Sequence, residues 1–212
     1  SKVDTYYRLV VFEFESLKKV SFSEDKNVIV LINSIHESYD RFLIELNNEW
    51  LDCMKQFQYK FNNIDVYKQA DFYKNELSES DQKVVVIISD ALRYECGVEL
   101  LKAMMLDTKG DAKIKHMMAG IPTVTHWGMA NLLTDKTITL SEDKLRIEGI
   151  LTDGTDNREK ILKINEPTAK AVQYKKLNNL DREKARKEYF NEKKVVYIYH
   201  NVIDATGDDP KT

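Results

Sequence analysis

Cysteine, proline and long apolar runs are all scarce in this sequence of 212 residues. Its two cysteines, Cys53 and Cys96, are too few for a disulfide framework, so we expect reduced thiols and a reducing compartment. The longest apolar runs, residues 84–88 and 28–32, fall far short of the roughly 20 residues that cross a bilayer, and the N-terminus has no signal-peptide pattern. We therefore expect a cytoplasmic protein without a membrane-spanning segment.

The sequence also lacks an excess of charge of either sign. Its 32 basic residues face 35 acidic ones, and the net charge of -3 predicts no general attraction to nucleic acid. A Lys-rich stretch over residues 175–187 is the one local candidate for such binding, but acidic residues interrupt it, which favours a solvated helix. With 42% hydrophobic residues and only three prolines, the chain is suited to a globular fold with a real core.

The N-terminal part has the periodicity of helices. Apolar side chains at steps of three and four predict an amphipathic helix over residues 28–54. A less regular pattern over residues 7–17 predicts a helix before it, and residues 65–75 are a candidate for a third. We therefore interpret residues 1–80 as a helical N-terminal segment.

The pattern changes at residue 81 to strands that alternate with helices. The continuous β-branched run at residues 84–88 predicts a strand buried on both faces, which is typical of a parallel sheet. The further strands predicted are 114–118, 146–151 and 195–199, and the helices predicted are 92–105, 125–133, 158–162 and 181–190. This alternation predicts an α/β fold over residues 81–212, with three layers and a mainly parallel sheet between helices.

Asp90 follows the first predicted strand by two residues. Ligands of open α/β sheets gather at the carboxyl ends of strands, and a carboxylate there is well placed to bind a cation. The alternative is that Asp90 caps the helix predicted to start near Ala91, with Ser89 competing for that role. Position alone favours neither interpretation.

Two threonines, Thr123 and Thr125, lie in a turn before another predicted helix. A hydroxyl at this place either caps the helix or acts as a nucleophile whose phosphoryl product the helix end stabilises. Capping is the more frequent role.

A third polar element follows the strand at residues 195–199. His200, Asp204 and Asp208 bring an imidazole and two carboxylates within nine residues, and Gly207 allows a tight turn between the carboxylates. Such donors suit a divalent metal. Alone, a polar turn is the simpler explanation, but three such elements at one edge of a sheet favour a site.

These three motifs, in this order, resemble those of the PglZ family of bacterial BREX phage-defence systems, which is placed in the alkaline phosphatase superfamily. The residues that carry the resemblance are Val86-Ile87-Ile88-Ser89-Asp90-Ala91-Leu92-Arg93-Tyr94-Glu95, Ile121-Pro122-Thr123-Val124-Thr125 and Tyr199-His200-Asn201-Val202-Ile203-Asp204-Ala205-Thr206-Gly207-Asp208. The helical stretch around Tyr39 and Trp50 also resembles the region that precedes this domain in type A proteins of the family.

The resemblance implies a role for individual residues. Asp90 matches a metal-binding aspartate, and Thr125 matches a Thr or Ser nucleophile. An Asp-x-x-Gly-His element of the superfamily supplies two further ligands, and here it reads Asp204 to Asp208, with Asp208 in place of the histidine. That replacement shifts the expected site toward harder cations. The family's later Asp-His-Gly stretch has no counterpart here, so we expect the chain to be truncated before the last metal ligands.

The function implied is that of a phosphatase or phosphodiesterase with a Thr125 nucleophile and two divalent metals, Zn²⁺ or Mn²⁺, held by Asp90, Asp204, Asp208 and secondarily His200. Arg93 is a candidate to bind substrate phosphate, or else forms a surface ion pair. We expect this chain by itself to be inactive and to bind metal weakly. Expected partners are a phosphoester, with nucleotides and nucleic acid as candidates, and other phage-defence proteins.

The alternative is a non-catalytic interaction module of a phage-defence complex. Under that hypothesis, Tyr94, Trp127 and Tyr197 contribute to an aromatic binding surface.

Overall fold

The computed structural model describes residues 2–19, 25–107 and 110–207. The helices are α1 (Lys2–Lys18), α2 (Lys26–Gln56), α3 (Tyr94–Asp107), α4 (Thr125–Asn131), α5 (Thr155–Asn165), α6 (Tyr174–Asn178), α7 (Arg182–Ala185) and α8 (Val202–Gly207). The strands are β1 (Val84–Ser89), β2 (Ile138–Ser141), β3 (Lys144–Ile147), β4 (Ile150–Leu151), β5 (Lys170–Gln173) and β6 (Val195–His200). Short 3₁₀ turns lie at Phe61–Asn63 and Gln69–Asp71, and π-helical turns lie at Tyr73–Ser78 and Arg186–Phe190.

The chain forms two compact units. The first comprises the residues up to Asp65 together with Arg93–Ile114, and the second comprises Val66–Leu92 and the residues from Lys115 onward. Among the helices of the described ranges, none is both long and apolar enough to cross a membrane.

The first unit is helical, as the apolar periodicity predicts for residues 7–17 and 28–54. The rings of Tyr7 on α1 and Tyr39 on α2 stack with centroids 3.7 Å apart, and the Tyr7 hydroxyl is hydrogen-bonded to His36 Nδ1 at 2.6 Å. An ion pair between Arg8 and Glu99 links α1 to α3. Aromatic stacking and one charge pair therefore hold the three helices together.

The second unit contains a parallel sheet with the strand order β1-β6-β5. Helices cover both of its faces. On one face, side chains of α5 pack with Tyr197 and Tyr199 of β6, and on the other, residues of α6 and the second π-helical turn pack with Val196 and Ile198. The predicted three-layer α/β arrangement is confirmed.

The prediction that β1 is buried on both faces is wrong. Val85 and Ile87 are 41% and 65% exposed, because the helical elements that pack on their face of the sheet contact β5 and β6 and leave β1 uncovered. β6 is the central strand, and all five of its residues from Val195 to Tyr199 are buried. A run of β-branched residues therefore did not identify which strand lies in the middle.

The other strand predictions hold in part. Residues 114–118 form no strand in the described structure, and Met118 makes a single parallel bridge with Lys68. The predicted strand 146–151 is divided by a turn at Glu148 and Gly149, which have φ values of 48° and 78°. Its two parts, β3 and β4, form an antiparallel sheet with β2. The pattern of the sequence did not reveal β2 or β5, which have four residues each.

The helix predicted over residues 65–75 is confirmed in part, since a 3₁₀ turn at Gln69–Asp71 leads into a π-helical turn at Tyr73–Ser78. The charged stretch from Asp181 to Phe190 is also helical. The Asp181 side chain caps α7 by accepting a hydrogen bond from the Lys184 N–H at 2.9 Å.

Candidate functional site

Asp90 lies on a turn at the carboxyl end of β1. Its N–H donates to the carbonyl of His200 at 2.9 Å, which adds one backbone hydrogen bond to those that pair β1 with β6. Its Oδ1 accepts a hydrogen bond from the N–H of Ala91, whose φ of 61° is in the left-handed region. Because α3 starts at Tyr94, neither Asp90 nor Ser89 caps it. The half-buried carboxylate of Asp90 is therefore left at the edge of the sheet.

An open cavity of about 500 Å³ lies beside this turn, and both Asp90 and Thr125 line it. The remaining lining residues are Gln69, Ile88, Ser89, Leu92, Ala119, Gly120, Thr123, Val124, Gly128, Met129 and Leu132. The structure therefore brings the predicted metal-binding aspartate and the predicted nucleophile to one cavity within the second unit.

Thr125 is the first residue of α4. The residue before it, Val124, has an extended backbone, and no side chain of the described residues caps the helix. The capping interpretation of the two threonines therefore finds no hydrogen bond to support it. The far end of α4 is anchored in the core, because the buried Tyr197 hydroxyl donates to the carbonyl of Leu132 at 2.5 Å.

The sequence analysis missed Gln69, which lines the same cavity. The Gln69 N–H donates to the Met118 carbonyl at 2.9 Å, and its side-chain Oε1 accepts from the Gly120 N–H at 3.2 Å. Gln69 therefore holds the segment that leads to Thr125. It lies far from Thr125 in the chain and in no periodic pattern, so no local signal points to it.

His200 is the last residue of β6, and Asp204 follows in α8. The His200 Nδ1 is hydrogen-bonded to Ser89 Oγ at 2.9 Å, and its ring meets Tyr174 edge-on with centroids 4.8 Å apart. Asp204 is half-buried in α8. Neither His200 nor Asp204 is among the described residues that line the cavity, and Asp208 lies outside the described residues.

Arg93 precedes α3 in the helical unit. Its Nε forms an ion pair with Glu95 Oε1 at 2.6 Å, and Glu95 is buried although the Arg93 side chain is 64% exposed. Of the two roles considered for Arg93, the ion pair is observed, and its partner Glu95 was not anticipated.

The described part of the chain brings together no group of three or more His, Cys, Asp or Glu side chains that could hold a metal. Asp90 supplies one carboxylate at the cavity, and a single carboxylate is too few ligands to define a metal site.

Comparison with known proteins identifies the family of this chain. Residues 71–212 match the family model of the BREX system PglZ alkaline phosphatase-like domain. The chain is 34% identical over 217 residues to the alkaline phosphatase-like protein PglZ of Bacillus cereus (strain H3081.97), with 99% of this chain and 25% of that protein covered. It is 32% identical over 182 residues to the alkaline phosphatase-like protein BrxZ of Escherichia coli O9:H4 (strain HS), with 81% of this chain and 21% of that protein covered. No solved structure matches significantly.

The parallel sheet between two helical layers makes the second unit an α/β fold, and the family match identifies it as an alkaline phosphatase-like domain. The chain belongs to the PglZ family of BREX systems. It spans about a quarter of the length of the curated relatives that it matches.

Proposed function

We propose that this chain carries the nucleophile of a phosphoester hydrolase that acts in a BREX phage-defence system. The observation that supports the proposal is that Thr125 and Asp90 line the same cavity at the carboxyl edge of the sheet. Family membership places the chain among BREX proteins, and other defence proteins are the partners that we propose for it.

In the proposed reaction, the Thr125 oxygen attacks the phosphorus of the substrate. A bond forms between this oxygen and phosphorus, the ester P–O bond breaks, and the leaving alcohol takes up a proton. Water then hydrolyses the phosphothreonine, which releases phosphate or a phosphomonoester and restores the hydroxyl. The absence of a capping bond leaves the Thr125 side chain available for this role.

Asp90, Asp204 and Asp208, with His200 as a lesser candidate, are the residues that we propose as ligands of divalent metal in the complete protein. Two bound cations would lower the pKa of the attacking hydroxyl and stabilise the leaving oxygen. Carboxylate-rich ligands accommodate Mn²⁺ readily, and the imidazole is compatible with Zn²⁺. Arg93, three residues after Asp90 in the chain, is our candidate for contact with the substrate phosphate.

Replacement of Thr125 in the complete gene product tests this proposal. Thr125→Ala should abolish metal-dependent hydrolysis of a chromogenic phosphodiester or phosphomonoester without a large loss of stability, because the hydroxyl caps no helix. Thr125→Ser should retain measurable activity, since it keeps the attacking oxygen. Thr123→Ala should be much milder, and Thr139→Ala, in the exposed strand β2, should leave the rate unchanged.

Equal activity of the Thr125→Ala variant and the unaltered protein would refute the nucleophile assignment. If the complete protein hydrolyses no phosphoester but requires this domain to assemble with other defence proteins, the interaction-module hypothesis replaces ours. The aromatic surface considered for that hypothesis needs revision in any case, because Tyr197 is fully buried.

A further inference from the structure

Gln69 lies in the cavity with Thr125 and Asp90, and the reaction described above leaves it without a chemical role. Its Oε1 accepts a hydrogen bond from the Gly120 N–H at 3.2 Å. A rotated amide would bring its N–H₂ group against this backbone donor, so the loop sets the orientation of the amide. The Nε2 end is therefore a donor with a defined position.

Gly128 shows where this donor lies. A Cβ atom added to Gly128 would be 3.2 Å from Gln69 Nε2, closer than ordinary van der Waals contact. Gly128 is three residues after Thr125 on α4, and helical residues at this spacing share a face. The Gln69 donor is therefore beside the helix face on which Thr125 lies, and glycine at 128 leaves room for it.

Within the described residues, Gln69 Nε2 has no hydrogen-bond acceptor. The Gln69 side chain is half-buried and lines the cavity, so its N–H groups are open to a bound molecule. A group with several exposed acceptor oxygens is the natural partner for such a donor, and the oxygens of a phosphoryl group are of this kind.

We propose that Gln69 binds the substrate, with its Nε2 donating a hydrogen bond to a non-bridging oxygen of the phosphoryl group presented to Thr125. This inference rests on the proposed function, because it assumes that the cavity takes a phosphoester. It assigns to Gly128 the role of leaving space for the Gln69 amide.

Titration of the complete gene product with inorganic phosphate in the presence of Mn²⁺, followed by calorimetry, tests the proposal without requiring turnover. Gln69→Glu keeps an oxygen that accepts from the Gly120 N–H but replaces the donor by an anionic oxygen. It should weaken phosphate binding by about tenfold or more, the effect of losing a hydrogen bond to a charged group. Its thermal unfolding midpoint should stay close to that of the unaltered protein.

Gln173→Glu is the matched control. The amide of Gln173 donates to Thr155 Oγ1 at 2.8 Å at the end of β5, and Gln173 is not among the residues that line the Thr125 cavity. Its replacement should leave phosphate affinity unchanged. Gly128→Ala should weaken phosphate binding through the displaced amide, and should have little further effect in the Gln69→Glu background.

The proposal is overturned if Gln69→Glu binds phosphate as tightly as the unaltered protein, or if the unaltered protein binds no phosphate. Weaker phosphate binding by Gln69→Glu, in a protein that hydrolyses no phosphoester, would support the Gln69 site and reject the proposed function. Loss of hydrolysis in Thr125→Ala, with phosphate affinity unaltered in Gln69→Glu, would support the function and reject the role of Gln69.

Discussion

Tyr197 and Tyr199 are both buried in β6, yet their hydroxyls have different surroundings. The Tyr197 hydroxyl donates to the carbonyl of Leu132, and burial raises the pKa of Tyr197 well above its usual value, so the phenol remains a donor at any ordinary pH. The Tyr199 hydroxyl is buried and forms no hydrogen bond of good geometry among the described residues, although the nearby Arg158 guanidinium partly offsets the burial that raises the pKa of Tyr199. The Arg158 guanidinium lies over the Tyr199 ring, 4.6 Å from its centroid.

We therefore expect removal of the two hydroxyls to change the free energy of unfolding by different amounts. Tyr197→Phe should lower the free energy of unfolding by about 1 to 3 kcal/mol, because the Leu132 carbonyl loses its buried donor. Tyr199→Phe should cost much less, because it removes a buried polar atom that forms no hydrogen bond of good geometry and keeps the ring beneath Arg158. Urea unfolding measures both changes in the free energy of unfolding, provided that its dependence on urea concentration has the same slope in each variant. Equal destabilisation by the two replacements would contradict this account.

The outer edge of β5 is occupied by a side chain of α5. Glu159 Oε2 accepts from the Ala171 N–H at 3.1 Å, and its carboxylate also pairs with Lys163 at 2.6 Å and with Lys170 at 3.2 Å. An unpaired strand edge is a template for association with other chains, and a carboxylate bound to the edge N–H blocks it. Glu159 therefore connects α5 to the sheet and protects the edge.

The pH dependence of stability should reveal this contact. Burial alone would raise the pKa of Glu159, but hydrogen bonds from Lys163, Ala171 and Lys170 more than offset it, and the pKa lies below its ordinary value of 4.5. Since the folded state depresses this pKa, the carboxylate stabilises the fold above about pH 4.5, and this contribution is lost as the pH falls through the folded pKa.

At pH 7, Glu159→Gln should lower the free energy of unfolding by about 1 kcal/mol. The difference from the unaltered protein should shrink as the pH falls below 4.5. Glu183→Gln, an exposed residue of α7, is the control and should show little difference at either pH. If Glu159→Gln lowers the free energy of unfolding by the same amount at pH 7 and pH 3, the charge of Glu159 does not contribute to this contact.

At the scale of the whole molecule, the candidate metal ligands are dispersed. Asp90 lines the cavity beside β1, whereas His200 at the end of β6 and Asp204 in α8 are not among the described residues that line it. The described residues bring no three potential ligands together. A tight transition-metal site requires about four protein donors, so this chain lacks a full set in its described part.

We predict that the 212-residue chain binds Zn²⁺ or Mn²⁺ weakly, and that calorimetric titration gives dissociation constants that are micromolar or weaker. Asp90→Ala should weaken the residual binding further, because it removes the one carboxylate at the cavity. A submicromolar constant would mean that His200, His126 or a second copy of the chain contributes ligands.

Local patterns in the sequence determined the elements whose signals are local. The apolar periodicity predicts α1 and α2, the β-branched runs predict β1 and β6, and the order of the three motifs identifies the family. Position made Asp90 and Thr125 candidates, the resemblance to the family assigned their roles, and their places after a strand and at a helix start agree with the observed elements. Such signals arise within a few residues, so they are readable without the fold.

Tertiary structure alone decided the features that depend on contacts between distant residues. Runs of similar residues form both the outer strand β1 and the central strand β6, and only strand pairing together with the packing of helices on the sheet determines which of them is buried. The four-residue strand β5 forms because α5 and β6 pack against it. The amide of Gln69 reaches Gly120 and Gly128 because the bridge between Lys68 and Met118 joins two segments that are distant in the chain. No pattern within one segment encodes such a contact, since it exists only once both segments occupy their places in the fold.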